Sequence, residues 1–203
     1  MNGGIYVVSG PSGVGKSSII REVMTLLEGL AYSVSHTSRK PRPGEMDGRE
    51  YHFVGRDDFR RMIGQGGFAE WAEVYGDYYG TSILEVEQKI ERGLDLIMDV
   101  DVQGAANIRS RFRDCVLIFV LPPSMDVLAG RLKGRGADDE ASMTRRLEKA
   151  AREMENASWY DYIIINQELN RASDELASIV KAERCRSSRR IHLLSGILPP
   201  RNP

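Results

Sequence analysis

The chain has 203 residues, of which 41% are hydrophobic and 28% charged, and its net charge is -1 at pH 7. This composition is typical of a globular protein with one or two domains, and it excludes a global electrostatic attraction to nucleic acid or membranes. The sequence has two cysteines without CxxC spacing, no membrane-length apolar run and no signal-peptide pattern. We therefore expect a cytoplasmic protein without nucleic-acid or membrane partners. The sequence does not indicate an oligomeric state.

The first predicted elements are a buried strand and an amphipathic helix. The apolar, β-branched run IYVVS (Ile5–Ser9) predicts the strand, and a glycine follows it. The segment KSSIIREVMTLLEG predicts the helix, since its apolar residues recur with helical spacing up to the closing Gly29.

Further apolar strands alternate with helical segments along the rest of the chain. We predict strands at 31–35, Leu94–Asp101, Val116–Leu121 and Tyr160–Asn166. We predict helices at about 104–113, 125–134, 140–157 and 171–186. Apolar strands that alternate with helices indicate an α/β fold, with a parallel sheet covered on both faces.

Residues 36–90 interrupt this alternation and predict an inserted lobe. They are rich in proline, glycine and charge, and their first strands alternate polar with apolar residues, as in a half-exposed antiparallel sheet. The chain returns to the core through a helix that begins at Ser82, which with Glu85 forms a capping box.

The segment GPSGVGKS, from Gly10 to Ser17, matches the phosphate-binding pattern GxxxxGK[ST] and lies between the predicted strand and helix, as that motif requires. Glycines allow several backbone N–H groups to face one anion, and the helix adds its positive N-terminus. Lys16 would reach the β- and γ-phosphates, and the Ser17 hydroxyl would ligate Mg²⁺. The alternative is a glycine-rich turn with a chance lysine. The second half of the chain has no NKxD segment of the kind that a GTPase uses to read its base.

Arg39 and Arg42 stand three residues apart beside a turn, with Tyr51 after it. Two guanidinium groups and a tyrosine hydroxyl suit a phosphate monoester, although a solvated basic loop is an equal alternative.

A third basic group flanks a glycine-containing break between two predicted helices: Arg131, Arg135, Arg145 and Arg146. This is typical of a closing lid over a transferring phosphoryl group, with an exposed basic helix pair as the alternative. We therefore divide the chain into a core (1–35, 94–125 and 158–186), the inserted lobe with its return helix (36–93), a lid (126–157) and a flexible tail (187–203).

Taken together, these segments resemble the guanylate kinase family. The resemblance runs from about Gly4 to near Arg184, and its most specific parts are SVSHTSRKPRPGEMDGREYHF and FAEWAEVYGDYYGTS. It implies a P-loop nucleoside monophosphate kinase fold, with a parallel sheet flanked by helices, a small α+β GMP-binding lobe and a helical lid. It also implies that the γ-phosphoryl group of ATP is transferred with Mg²⁺ to GMP or dGMP by direct in-line displacement, giving ADP and GDP.

The resemblance further implies roles for individual residues. The catalytic set is Lys16, Arg39, Arg131, Arg135 and Arg146. The ATP-binding set is Gly10, Pro11, Ser12, Gly13, Val14, Gly15, Lys16, Ser17, Ser18, Arg135 and Asn166, the last of them near the adenine. The residues that hold the GMP phosphate are Ser35, Arg39, Arg42, Tyr51 and Tyr79, and those that read guanine are Glu70, Thr81 and Asp101. The metal-side residues are Ser17 and Asp99, with Mg²⁺ held through water.

Three aromatic residues of the lobe, Phe68, Trp71 and Tyr78, are predicted to pack inside it rather than to bind a ligand. Two other functions remain open on the sequence. One is a non-catalytic guanylate-kinase-like module that binds a phosphorylated ligand, although such modules usually have a degraded phosphate loop. The other is a related P-loop kinase for another small phosphate ester.

Overall fold

The computed structural model describes residues 3–74, 76–133 and 140–197 of the chain. Its strands are β1 (Ile5–Ser9), β2 (Leu30–Tyr32), β3 (His36–Thr37), β4 (His52–Phe53), β5 (Phe68–Val74), β6 (Asp77–Ser82), β7 (Asp95–Asp99), β8 (Val116–Leu121) and β9 (Tyr162–Ile165). Its α-helices are α1 (Lys16–Leu26), α2 (Arg56–Gly64), α3 (Ile83–Glu91), α4 (Val102–Arg111), α5 (Met125–Lys133), α6 (Glu140–Met154), α7 (Leu169–Arg184), α8 (Ser187–Arg190) and α9 (Leu194–Ile197). Two 3₁₀ segments, Glu155–Trp159 and Ile191–Leu193, complete these ranges.

The larger sheet has the strand order β2-β7-β1-β8-β9, and every neighbouring pair in it is parallel. Its two faces are covered by separate apolar clusters, one including residues of α1 and α7 and the other residues of α3 and α4. The predicted α/β fold class with a parallel sheet is confirmed. Because parallel strands end at the same edge, the phosphate loop after β1 lies beside the end of β7, where Val8 is in register with Asp99.

The smaller sheet has the order β4-β3-β6-β5 and comes from the region predicted as an inserted lobe. Its β3–β6 and β5–β6 pairs are antiparallel, whereas β3 and β4 run parallel, so the predicted antiparallel sheet is mixed. Helix α2 packs on it through Phe59, which stacks on the rings of Phe68 and Tyr78. The packing prediction holds for these two rings but is wrong for Trp71, which is 43% exposed. Strand β5 is an edge strand, so one of its sides has no neighbouring strand.

Several predicted boundaries move when the tertiary structure is formed. The strand predicted at 31–35 ends at Tyr32, because the chain leaves the larger sheet there to enter the smaller one at His36. The predicted strand Leu94–Asp101 shortens to Asp95–Asp99, because Asp101 caps the next helix, which begins at Val102 instead of 104. The strand predicted at Tyr160–Asn166 is Tyr162–Ile165, and the long helix predicted to 157 ends at Met154 in a 3₁₀ segment.

The return helix α3 begins as predicted, after Ser82, whose hydroxyl accepts a hydrogen bond from the Glu85 N–H at 3.5 Å. The reciprocal half of the capping box is absent. The Glu85 carboxylate instead pairs with Lys89 one turn later and lies 3.6 Å from His52 Nε2. Lys89 in turn donates to the carbonyl of Tyr32, which links the return helix to β2.

The described part of the predicted tail is helical and contacts the core. Arg189 of α8 donates to the Tyr6 hydroxyl at 3.3 Å and lies 3.4 Å from the buried carboxylate of Asp95. These contacts join α8 to the core within the segment that we predict to be a flexible tail. In the described ranges, no helix has the length and apolar character that crossing a lipid bilayer requires.

Candidate active site

The phosphate loop is the strand-to-helix turn between β1 and α1. Gly10, Gly13 and Gly15 have φ angles of 138°, 84° and 101°, a region that side chains rarely adopt. A Cβ on Gly10 would also lie 2.3 Å from the Val120 carbonyl oxygen, which leaves no room for another residue. The first N–H groups of α1 have no partner within the helix, so the loop and the helix start together present donors to an anion.

Lys16, Ser17 and Asp99 meet at the carboxyl ends of β1 and β7. The Ser17 hydroxyl donates to Asp99 Oδ2 at 2.9 Å, and Lys16 Nζ lies 3.6 Å from Asp99 Oδ1. Lys16 Nζ also donates to the Gly10 carbonyl at 2.8 Å, which folds the lysine back over the loop. The described residues hold no cluster of three or more His, Cys, Asp or Glu side chains suited to a metal. A hydroxyl and a carboxylate fit Mg²⁺, because this ion prefers oxygen ligands and keeps several waters and substrate phosphates.

The basic loop of the lobe is organised by Glu45. The Arg39 guanidinium donates to Glu45 Oε1 at 2.8 Å and to the Lys40 carbonyl at 2.7 Å. The other carboxylate oxygen of Glu45 accepts the backbone N–H of Arg42 at 2.7 Å. The guanidinium of Arg39 lies 5.5 Å from the ring centroid of Tyr51, within cation–π range. A guanidinium has five N–H donors, so these two contacts leave donors for the neighbouring Tyr79 and for a ligand.

Aromatic hydroxyl groups border this arginine. The rings of Tyr51 and Tyr79 pack edge to face with centroids 5.7 Å apart. Hydrogen bonding to Glu45 raises the pKa of the Arg39 guanidinium, burial opposes this rise, and the neighbouring Tyr79 adds to it. Burial, followed by the nearby Tyr79, raises the pKa of Tyr51, so its hydroxyl stays protonated and can donate. Ser35 lies half-buried beside β4, where its carbonyl accepts from the His52 N–H. The Arg42 side chain is exposed.

Glu70, Thr81 and Asp101 come together where the lobe meets α4. Glu70 and Thr81 are cross-strand neighbours on β5 and β6, and the Thr81 hydroxyl donates to Glu70 Oε1 at 2.7 Å. Asp101 caps α4 by accepting the Gly104 N–H at 2.8 Å. A Cβ on Gly104 would lie 3.3 Å from Glu70 Oε2 and 3.4 Å from Asp101 Oδ1, so the glycine permits the two carboxylates to approach. Burial raises the pKa of Glu70, the Asp101 charge adds to the rise, and the Thr81 hydrogen bonds partly offset it.

The predicted lid arginines have separate positions. Arg131 of α5 donates to two backbone carbonyls, that of Val14 at 3.2 Å and that of Asn166 at 2.9 Å. Arg146 lies on α6, with an exposed side chain, and Arg135 lies outside the described residues. Asn166 is 5% exposed, and its amide nitrogen donates to the Val14 carbonyl at 2.7 Å. Its amide nitrogen is therefore engaged with the loop.

Three site residues were not predicted from the sequence. Glu45 is the first, and its only sequence signal is a single carboxylate within a basic loop. Tyr32, the last residue of β2, is the second: burial raises the pKa of its hydroxyl, and Asp99 and then Tyr51 add to the rise. Glu153 of α6 is the third: burial raises its pKa, while Lys149 and Lys16 oppose the rise. The pKa of Glu153 thus depends on residues of both the lid segment and the phosphate loop.

Known proteins resemble this chain over nearly its whole length. The family model described as guanylate kinase matches residues 2–183. A guanylate kinase of Geobacter sulfurreducens is 47% identical over 195 residues, covering 96% of both chains, and one of Neisseria gonorrhoeae is 43% identical over 196 residues, covering 97% and 96%. The crystal structure of guanylate kinase from Anaplasma phagocytophilum superposes with a TM-score of 0.76 at 32% identity, covering 97% of this chain and 96% of that one. Shikimate kinase from Bacteroides thetaiotaomicron, at 13% identity and a TM-score of 0.50, shares the fold alone.

Proposed function

The chain belongs to the guanylate kinase family, and on that premise we propose how its residues transfer the γ-phosphoryl group of ATP to GMP. The observation that carries the proposal is the carboxylate of Glu70, which is partly buried, bonded to Thr81 and close to Asp101. A guanine base offers N1–H and N2–H₂ as adjacent donors, and an acceptor-only carboxylate suits both. Adenine has an unprotonated N1 and no amino group at C2, so it would leave a buried charge unpaired.

The phosphate of GMP has its own set of donors in the lobe. Glu45 holds the Arg39 guanidinium, which has further N–H donors for a ligand. The hydroxyls of Tyr51 and Tyr79 lie beside it. Arg42, in the same loop, and Ser35, just before β3, complete this set of donors. Guanidinium groups bind phosphate oxygens bidentately, so this group fixes both the position and the orientation of the acceptor phosphate.

The donor phosphates belong to the loop between β1 and α1. The glycine-rich loop and the first residues of α1 offer backbone N–H groups, and the Lys16 ammonium lies 3.6 Å from Asp99 at the end of β7. Ser17 and Asp99 would hold Mg²⁺ directly or through water. When bound, this ion neutralises charge on the β- and γ-phosphate oxygens. We do not assign Asn166 to the adenine ring, because its side chain is buried and its amide nitrogen donates to the Val14 carbonyl.

The transfer requires no covalent intermediate. A GMP phosphate oxygen attacks the γ-phosphorus in line with the leaving oxygen of ADP, and catalysis comes from positioning and from stabilising charge. Lys16 supplies positive charge from the loop, Arg39 from the lobe, and Arg131, Arg135 and Arg146 from the lid segment. The two substrates repel each other and water is a competing acceptor, so the site must close over both substrates before transfer.

The two alternatives are less well supported. A non-catalytic module has no use for the arrangement of Lys16, Ser17 and Asp99, which is intact here. A kinase for another phosphate ester would not need the Glu70 carboxylate bonded to Thr81, whereas the adjacent donors of guanine suit that acceptor.

A coupled assay that measures ADP release tests the proposal. Purified protein with ATP and Mg²⁺ is given GMP, dGMP, AMP, CMP and UMP in turn, and Lys16→Ala serves as the inactive control. We expect turnover with GMP and dGMP, and a loss of at least about 10²-fold in kcat for Lys16→Ala. Equal turnover with AMP and GMP would contradict the guanine assignment, and turnover with none would contradict the activity.

A further inference from the structure

One backbone carbonyl of the phosphate loop receives two side-chain donors from distant parts of the chain. The Val14 oxygen accepts the amide nitrogen of Asn166 at 2.7 Å and a guanidinium nitrogen of Arg131 at 3.2 Å. The other terminal nitrogen of Arg131 donates to the carbonyl of Asn166 itself at 2.9 Å. The loop, the end of β9 and the helix α5 thus meet at the Val14 carbonyl site, which consists of Val14, Arg131 and Asn166.

The Val14 carbonyl site is closely packed. A Cβ on Gly15 would lie 2.4 Å from the Asn166 amide nitrogen, so the asparagine occupies the space that the glycine leaves. The Val14 side chain is fully buried in the core, and the Asn166 N–H donates to the Leu121 carbonyl at 2.8 Å. Core packing therefore holds Val14, and the backbone hydrogen bond to Leu121 holds Asn166. As a result, the hydrogen bond between Val14 and Asn166 has a defined direction.

The geometry of the Val14–Gly15 peptide fixes the direction of the Gly15 N–H donor. The Val14 carbonyl and the Gly15 N–H belong to one planar trans peptide, so they point in opposite directions. A carbonyl held toward Asn166 and Arg131 therefore directs the Gly15 N–H to the other side of the loop. In the described part of the chain, this N–H donates to no backbone carbonyl, which leaves it available to an anion.

We propose that Asn166 is a positioning residue of the donor site, which holds the Val14–Gly15 peptide so that its N–H faces the ATP phosphates. Arg131 binds the same carbonyl and so connects α5 of the lid segment to the loop. This inference rests on the proposed function for its substrate, and it assigns Asn166 to the phosphates rather than to the adenine ring.

The test compares Asn166→Asp with the intact protein. Aspartate has the same shape, but it offers the Val14 carbonyl an oxygen in place of a donor. The carbonyl therefore loses the shorter of its two side-chain hydrogen bonds, keeps only the 3.2 Å contact from Arg131, and meets a repulsive charge. Inorganic tripolyphosphate, which carries no base, is titrated calorimetrically in the presence of Mg²⁺ beside ATP. We expect both affinities to fall by the same factor, about ten-fold or more, while the KM for GMP changes by less than about two-fold.

Two further variants keep the test decisive. Asn170→Asp introduces the same charge at an exposed position at the start of α7 and should leave both affinities unchanged. If the aspartate variant does not fold, Asn166→Ser tests the same hydrogen bond to the Val14 carbonyl. Serine removes most of the side chain but keeps a neutral donor. It should weaken both ligands in the same proportion, with a melting curve as the check on folding.

The outcomes separate the possible roles. A loss of ATP affinity with unchanged tripolyphosphate affinity would assign Asn166 to the adenine and overturn the proposal. Unchanged affinity for both ligands would also overturn it. Because tripolyphosphate binding requires no turnover, a wild-type protein that fails to phosphorylate GMP would contradict the proposed function without affecting this comparison.

Discussion

At the scale of single residues, the role proposed for Glu70 in guanine recognition has a consequence for stability. Burial raises its pKa above the ordinary value of 4.5, and Asp101 adds to the rise. For an acid with a raised pKa in the folded state, the stability present below the unfolded pKa is lost as the pH rises through the folded pKa. At neutral pH the ionised carboxylate therefore costs free energy of folding, which binding of guanine would offset.

We expect Glu70→Gln to stabilise the ligand-free protein at neutral pH and to slow its reaction. The amide carries no charge to desolvate and can still accept from Thr81, so the urea midpoint should rise at pH 7. This gain should vanish as the pH falls below about 4.5. The kcat/KM for GMP should fall by about 10²-fold or more, because the amide accepts more weakly and adds a donor facing donors.

Urea titrations at several pH values and kinetics with GMP and AMP measure both effects. Glu87→Gln, an exposed change on α3, is the matched control and should alter neither. An unchanged ratio of GMP to AMP reactivity would remove Glu70 from base recognition.

Arg42 allows a cleaner test of the phosphate contacts than Arg39, whose side chain also bonds to Glu45 and Lys40. The backbone N–H of Arg42 makes the contact to Glu45, so truncating its exposed side chain should leave the loop in place. We expect Arg42→Ala to raise the KM for GMP by roughly ten-fold or more, as for one charge-assisted hydrogen bond of about 1.5–3 kcal/mol. The KM for ATP should change by less than about two-fold.

Steady-state kinetics with each substrate varied in turn give the two constants. Lys40→Ala removes a positive charge from the same loop and serves as the control for a general electrostatic effect. An equal rise in KM for GMP in both variants would indicate that the loop acts through net charge alone.

At the scale of elements, the start of α4 serves two purposes. Asp101 satisfies the first turn of the helix through the Gly104 N–H, and its position also brings its carboxylate toward Glu70. Asn and Asp are equivalent N-cap residues, whereas Ala cannot accept this hydrogen bond.

We predict that Asp101→Ala lowers the free energy of unfolding by about 1 kcal/mol and that Asp101→Asn lowers it much less. Urea denaturation monitored by circular dichroism measures the two changes. Because the asparagine variant keeps the cap, any change in its selectivity for GMP reports on the charge. Equal stabilities of the two variants would contradict the capping role.

At the scale of the whole molecule, strand β7 carries one carboxylate at each end. Asp99 lies at the carboxyl end with Lys16 and Ser17, whereas the buried Asp95 lies at the amino end. Asp95 accepts from the Gly4 N–H at 2.5 Å and pairs with Arg184 at 2.6 Å and Arg189 at 3.4 Å. This ion-pair network joins β1, β7 and the two C-terminal helices away from the active site.

We predict that Arg184→Ala lowers the free energy of unfolding by about 3 kcal/mol, because it leaves the Asp95 charge buried with its weaker partner. Arg189→Ala should cost less, since the shorter pair with Arg184 remains. Neither change should alter kcat at a temperature where the protein is folded. Thermal unfolding measures the cost, with Lys181→Ala, exposed on the same helix, as the control. A larger loss for Arg189→Ala would reverse the ranking of the two pairs.

Features that depend on residues close together in the chain could be predicted from the sequence. The phosphate loop needs its glycines, lysine and serine in one short run, and an apolar strand before it and an amphipathic helix after it are local patterns. The alternation of strands and helices likewise predicted the parallel sheet, since a strand buried on both faces is apolar throughout. The spacing of Arg39 and Arg42 suited a phosphate site and a solvated basic loop equally, and it did not show that Glu45 orders Arg39.

Only the tertiary structure decided the contacts between residues that the chain separates widely. Asn166 and Arg131 reach Val14 from 152 and 117 residues away, and Arg184 reaches Asp95 from 89 residues away. No periodicity encodes such pairs, because helix and strand patterns report only which face of an element is buried. Three other features have the same cause. They are the early end of β2 at Tyr32, the exposure of Trp71 on an edge strand and the ordering of Arg39 by Glu45. Each depends on which neighbour the folded chain places beside the residue, and the packing of the whole molecule fixes that neighbour.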